Sequence, residues 1–221
     1  MAIAAETTAK TDAPPRKASR EARRVQLIEA TIEVLASKGY SRMTLTDVAK
    51  LAGLSHGLVN FHFETKEKLL AETLRYLSDE YRENWMAALE SAGQGPAERL
   101  HAILASDFNA AICTPARLAA WCSFWGEAQS RPMYQETCGA KDLDYDAHLV
   151  ALCTEICAEG GYSCDPVRAA RVLRLCTEGG WLDLMTMVTP YSMAEAQATV
   201  MAAAAAFFPR HFSERGLIAV A

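Results

Sequence analysis

The stretch Thr44 to Lys68, TLTDVAKLAGLSHGLVNFHFETKEK, limits what this chain can become more than any other part of it. Leu45, Val48, Ala49 and Ala52 recur at i, i+3, i+4 and i+7, which lays one apolar face along a short helix with Thr44 as its N-cap. Gly53 can take the left-handed conformation that ends such a helix, and Leu54 drops into the corner that follows. Ser55 then caps a second helix whose inward positions are Leu54, Val59 and Phe63. Ser55, His56, Gly57, Asn60, Phe61 and His62 are left for the exposed side. Small residues, hydrogen-bonding side chains and one aromatic suit a DNA major groove, where base edges and a thymine methyl must be approached closely. Short helix pairs around a glycine also occur in ordinary helical proteins, so the flanks have to decide.

Upstream, Arg20 to Lys38 carries Val25, Ile28, Ile32 and Leu35 on one face and closes at Gly39, a first amphipathic helix that braces the pair. Arg23, Arg24 and Arg42 lie where a backbone phosphate could be held. Downstream, Thr65 caps a long helix beginning near Lys66, with Leu70, Leu74, Leu77, Tyr81 and Trp85 in a continuous stripe. Its start would meet DNA through Lys66 and its far end a second domain, which makes it a lever.

Charge follows the same division. Between Arg16 and Lys68 ten Lys or Arg face six acids, a balance of +4 within a chain of net −5, so the remainder carries −9. Only the front of the molecule is then suited to phosphates, and nonspecific coating of nucleic acid is disfavoured. With 51% apolar residues, 8 prolines and 12 glycines in 221 residues, the chain reads as all-α. No run of 18 apolar residues exists, and Met1 to Arg20 lacks the apolar centre of a secretory signal, so no membrane association and a cytoplasmic location are expected.

The expected organisation is a flexible basic arm at 1–19, a three-helix DNA-binding domain at 20–81 with its helix-turn-helix at 44–63, a helical ligand-binding and dimerisation domain at 82–212, and a tail at 213–221. SAGQGP at Ser91 to Pro96 marks the break between helices. Beyond it, helices are expected at about Ala97–Ala111, Pro115–Gln129, Pro132–Glu159, Asp165–Val188 and Met193–Phe208, about nine in all, with no strand-like alternation. The last is so rich in alanine that another helix can approach closely, and a twofold partner would let two copies read two half-sites.

Trp121, Phe124 and Trp125 on one helix, Tyr134 and Tyr145 on the next and Trp181 on another form an unusual density of rings, with Glu127, Asp142, Asp144, Asp146, Glu178 and Asp183 nearby. Several aromatic faces around a void, with a carboxylate such as Glu178 at the rim, would hold a quaternary ammonium. Large rings at helical spacing also simply fill cores. Seven cysteines, all between Cys113 and Cys176 and without a Cys-x-x-Cys pair, point to reduced usage. Cys153 and Cys157, one turn apart, could share a metal or oxidise, though small buried residues are the commoner explanation.

Ala52, Gly53, Leu54, Ser55, Phe61, His62, Phe63 and Lys66 together resemble the TetR family of bacterial regulators, over about Arg23 to Leu77. The family usually has tyrosine where this chain has Asn60, so the operator sequence should differ. The resemblance implies a homodimer binding a double-stranded DNA operator, with Arg42, Thr44, Ser55, His56, Gly57, Asn60, Phe61, His62 and Lys66 at the DNA, and dimerisation through the last two helices. Ala116 to Gln135, Gln26 to Thr31 and GGWLDL from Gly179 are similar to the BetI-like branch, which controls choline uptake and glycine betaine synthesis. That similarity implies choline or a related trimethylammonium compound as effector, with Trp121, Trp125 and Trp181 as cage and Phe124, Tyr134, Tyr145 and Glu178 around them. No cofactor and no bound metal are expected. The alternatives are a redox- or metal-sensing regulator using the cysteines, and a helical enzyme; no His-Glu-x-x-His, phosphate loop or Gly-x-Ser-x-Gly supports the latter.

Overall fold

The computed structural model describes residues 19–127 and 131–218. All but Ser19 of the arm expected at 1–19, residues 219–221 of the expected tail and the expected end of a helix at Gln129 therefore lie outside the described residues. Among those described there are nine α-helices: α1 Arg20–Lys38, α2 Leu45–Ala52, α3 His56–Phe63, α4 Lys66–Ser91, α5 Pro96–Ser106, α6 Pro115–Gly126, α7 Arg131–Gly160, α8 Pro166–Thr186 and α9 Met193–Phe207. A two-residue antiparallel hairpin, β1 Phe212–Ser213 and β2 Gly216–Leu217, closes the described chain where no strand was expected.

The caps fall where local chemistry puts them. Thr44 and Asp47 form a capping box on α2, each side chain accepting from the other's backbone N–H. Gly53 stands at φ 65°, and its N–H closes on Ala49 and Lys50 carbonyls to end α2. Ser55, Thr65, Thr114, Asp165 and Ser192 cap α3, α4, α6, α8 and α9 in the same manner. α5 ends at Ser106, five residues before the expected Ala111, because Phe108, Asn109 and Cys113 turn back on the carbonyls of Ala105, Ser106 and Asn109. That early end delivers Asp107 into the interior.

Two apolar clusters organise the molecule. The first joins Leu27, Ile32 and Leu35 of α1, Val48 of α2, Val59 and Phe63 of α3 and Leu70, Leu74 and Leu77 of α4, and it also takes in Ala120, Trp121 and Phe124 of α6. The second is built from the end of α4 with α5, α7, α8 and α9, around Trp85, Leu100, Leu149, Leu173 and Phe208. α4 runs through both, and α6 packs on α1, α7 and α8. The seam is also polar: Arg117 of α6 donates to both carboxylate oxygens of Glu80 on α4, at 2.7 and 2.8 Å, and to Glu29 on α1 at 2.9 Å. These hydrogen bonds, with Glu80 first, hold the guanidinium more basic than usual despite its partial burial. Tyr76 donates to the same Glu29 at 2.9 Å.

Candidate functional site

Helix α3 is short enough that one face must pack and the other can be presented. Val59 and Phe63 are 0% and 2% exposed, while Ser55, His56, Gly57 and Asn60 are exposed and Phe61 reaches 64%. The Asn60 amide and the His56 Nδ1 lie 3.2 Å apart, one turn from each other, so the amide can donate to the ring and orient both outward. Arg20 sits 5.5 Å above the Phe61 ring. Arg42 and Thr44 are exposed beside this face, Arg42 donating to the Lys38 carbonyl and Thr44 spent on the Asp47 cap.

His62 does not belong to this surface. It is buried, at i+3 from Val59 and beside Phe63, and so continues the packed stripe of α3. Burial first, and then Arg20 and Arg24, push its imidazole below the ordinary histidine range, so it is neutral at pH 7. Arg24 locks the same corner, donating to the His62 carbonyl at 3.3 Å and to Glu72 at 2.6 Å while covering the Phe63 ring at 4.9 Å. Lys66 is half-buried and gives two of its three ammonium donors to the carbonyls of Tyr40 and Ser41, at 3.1 and 3.2 Å. It therefore fastens α4 to the α1–α2 corner, with one donor left over.

Glu64, between α3 and α4, has φ 62° and ψ −52°, and the Thr65 N–H returns 2.6 Å to the Phe63 carbonyl. This is a γ-turn of the rare, strained kind. It sets the angle at which the recognition helix leaves the lever helix.

The second site is a cavity lined by Tyr81, Trp121, Trp125, Tyr134, Asp142, Tyr145, Arg174, Thr177, Glu178 and Trp181. It offers about 40 Å³ to the centres of water molecules, and one water needs about 10–15 Å³ of such space, so a compact small group fits and a long chain does not. Trp125 lies nearly parallel to both Trp121 and Trp181, at centroid separations of 5.9 and 6.3 Å and angles of 27° and 10°. Tyr81 meets Trp181 edge-on at 5.6 Å. Arg174 is already compensated, donating to Asp146 at 2.7 Å and Glu178 at 2.8 Å; burial opposes its charge, but these bonds outweigh burial and raise its basicity. Asp142 accepts from the Tyr134 hydroxyl at 3.2 Å, and burial raises its pKa. With Asp146 behind Arg174, three carboxylates thus surround one guanidinium.

Of the expected ligand residues, Trp121, Trp125, Tyr134, Tyr145, Glu178 and Trp181 converge here, and Phe124 does not. It is 1% exposed and meets Tyr40 edge-on at 5.9 Å, because with Ala120 it occupies the side of α6 turned to the N-terminal cluster. Sequence reasoning did not assign Tyr81, Asp142, Arg174 or Thr177 to the lining. Arg174, Glu178 and Trp181 do share a helical face at i, i+4 and i+7, and that was the available signal. Cys157 lies nearest to Cys164, at 3.5 Å between sulfurs, and burial pushes its thiol up to about 11. Among the described residues no group of three His, Cys, Asp or Glu is placed to hold a metal ion, and no helix is long and apolar enough to cross a membrane.

These features agree with what the chain resembles. Residues 27–73 match the profile of bacterial regulatory proteins of the tetR family, and residues 96–209, just over half the chain, match the C-terminal profile of BetI-type transcriptional repressors. The HTH-type transcriptional regulator BetI of Escherichia coli K12 is 33% identical over 120 residues, which cover 54% of this chain and 62% of that protein. A transcriptional regulator from Pseudomonas aeruginosa PAO1 shares the fold with a TM-score of 0.72 and 26% identity, covering 87% of this chain and 93% of that one. The regulator FadR of Bacillus subtilis, solved in complex with stearoyl-CoA, has a TM-score of 0.67 at 17% identity over 81% of this chain and 96% of its own. The profile match over 96–209, just over half the chain, together with the match over 27–73, therefore places the chain in the TetR family of transcriptional regulators, BetI type.

Proposed function

We propose that this regulator is a ligand-responsive repressor that binds a near-palindromic operator as a cytoplasmic homodimer and is released by a small quaternary ammonium compound such as choline. Each subunit would place Ser55, His56, Gly57, Asn60 and Phe61 in a major groove, with Arg42, Thr44 and Lys66 toward the backbone. The observation that carries the effector reading is the cavity itself: near-parallel indoles Trp121, Trp125 and Trp181 with an excess of carboxylate over guanidinium. A trimethylammonium group cannot donate hydrogen bonds, so ring faces and net negative charge recognise it where donors would be wasted.

The route from effector to DNA runs through α6. Trp121 lines the cavity and belongs to the N-terminal cluster, and Phe124 one turn on touches Tyr40, whose carbonyl holds Lys66. A ligand that fits better with one setting of α6 biases the heads by that difference in affinity, about 1–3 kcal/mol in typical allosteric coupling. The test is tryptophan fluorescence quenching by choline, betaine aldehyde and unmethylated ethanolamine, paired with release from operator DNA in a mobility-shift titration. Quenching and release by the methylated compounds alone are expected; equal, negligible responses to all three would overturn the reading.

A further inference from the structure

Beneath the cavity lies a carboxylate that neither DNA contact nor ligand contact uses. Asp107 is 0% exposed and sits at the C-terminal end of α5. The Tyr145 hydroxyl donates to one of its oxygens at 2.6 Å and the Tyr81 hydroxyl to the other at 2.9 Å. Its backbone carbonyl accepts from the Trp181 indole N–H at 2.9 Å and from the Cys113 thiol at 2.8 Å. One residue thus anchors three lining rings that come from α4, α7 and α8. Thr177, also in the lining, is buried with its hydroxyl unpartnered.

Folding alone does not favour an acid in this place. The carbonyl end of a helix repels negative charge, and a carboxylate taken out of water resists ionising. Two tyrosine donors recover part of that cost, and an asparagine or a leucine would avoid it.

We propose that Asp107 is the positioning residue of this pocket: it ties Tyr81, Tyr145 and Trp181 into one floor and releases its proton to solvent as a quaternary ammonium arrives above them, which makes the site prefer a cation. This inference rests on the cationic reading of the effector given above. The charged groups near Asp107 are few, and Glu178, Asp142 and Arg174 in the cavity lining are the ionisable ones above it. Tyr81 and Tyr145 are held protonated by burial and by Asp107 itself, Cys113 is likewise a neutral thiol, and Glu178 across the cavity adds negative charge. Burial carries Asp107 to about 7, with the hydrogen bonds from Tyr145 and Tyr81 pulling the other way, so its proton is exchangeable under physiological conditions. A cation one side-chain layer away favours the charged form, and binding tightens as pH rises through this range.

The test uses tetramethylammonium chloride, which has no titratable proton, and the full chain in calorimetric titrations at pH 6, 7 and 8 in buffers of differing ionisation enthalpy. Wild-type affinity should rise about fivefold between pH 6 and pH 8 for a ligand-induced shift of one pKa unit, with proton release near pH 7. Asp107→Asn should flatten the profile and abolish the release, whereas Asp142→Asn should weaken binding and keep both. Tyr145→Phe, which removes a bond to the charged form, should move the midpoint upward, a shift that a purely structural role would not produce. Binding without proton release, or a profile unchanged in Asp107→Asn and Tyr145→Phe, overturns the role of Asp107 and leaves the cationic effector standing. No binding by wild type at any pH overturns both.

Discussion

Arg117 of α6 and Glu29 of α1 meet at 2.9 Å across the seam between sensor and DNA-binding head, with Glu80 of α4 on the same guanidinium. Replacing Arg117 by Met leaves two carboxylates facing each other without a cation. We expect a loss of about 1.5–3 kcal/mol, the range for hydrogen bonds to charged groups, read as a lower urea midpoint with unchanged slope. Adding Glu29→Gln should cost less than the sum of the single changes, because the two share one network. Strict additivity would show that the seam is held by packing alone.

Lys66→Ala separates two roles at one position. Its bonds to Tyr40 and Ser41 are structural, and the donor left over is proposed for a phosphate. A phosphate contact predicts weaker binding to all DNA sequences and a salt slope smaller by about 1. Loss of thermal stability with an unchanged slope would assign the residue to packing only. Asn60→Ala, in contrast, should alter base preference and leave the slope nearly intact.

Trp125 is the most exposed of the three indoles, at 38%, and owes little to the core. Trp125→Ala should therefore spare stability and lower affinity for choline by the worth of one cation–π contact, about 0.5–2 kcal/mol. Titration of the remaining tryptophan fluorescence measures it, and undiminished affinity would place the ligand elsewhere.

Glu64 holds φ 62° without being glycine. Strain of this kind costs about 1–3 kcal/mol, and the extra freedom of glycine in the unfolded chain costs about 0.5–1 kcal/mol. Glu64→Gly should thus raise the thermal midpoint. If it also weakens operator binding, the strained turn is what fixes the angle of α3.

Asp107 should leave a mark on stability as well. Burial raises its folded pKa to about 7, from an ordinary 3.8 in the unfolded chain, so between those values the folded state holds a proton that the unfolded state has lost. Its contribution is greatest below the lower value and declines as pH rises through the interval, by an amount on the order of 4 kcal/mol in full. Denaturant curves from pH 4 to 8 should show wild type losing ground relative to Asp107→Asn as pH rises; parallel profiles would mean an ordinary carboxyl.

What could be read from the residues beforehand was whatever depends on neighbours in the chain. Thr44, Gly53 and Ser55 announce caps and a turn through local hydrogen bonding, and the period of Val59 and Phe63 turns His56 and Asn60 outward. That period also carried His62 inward, a position the composition of the face disguised. Phe124 and Asp107 lay beyond such reasoning, since the side of α6 that meets α1, and the premature end of α5, are settled by distant helices. Lys66 was legible as a cation and not as a clasp, because its acceptors are carbonyls some twenty-five residues earlier.

Trp121 is shared between the cluster beneath the recognition helix and the wall of the ligand cavity. Anyone grafting this head onto another sensor by cutting near residue 81 would tear an indole out of the head's own interior. Leu→Ala-sized voids alone cost about 2–5 kcal/mol. A working chimera has to carry α6 along, so the exchangeable module is larger than the DNA-binding segment and discontinuous in the chain.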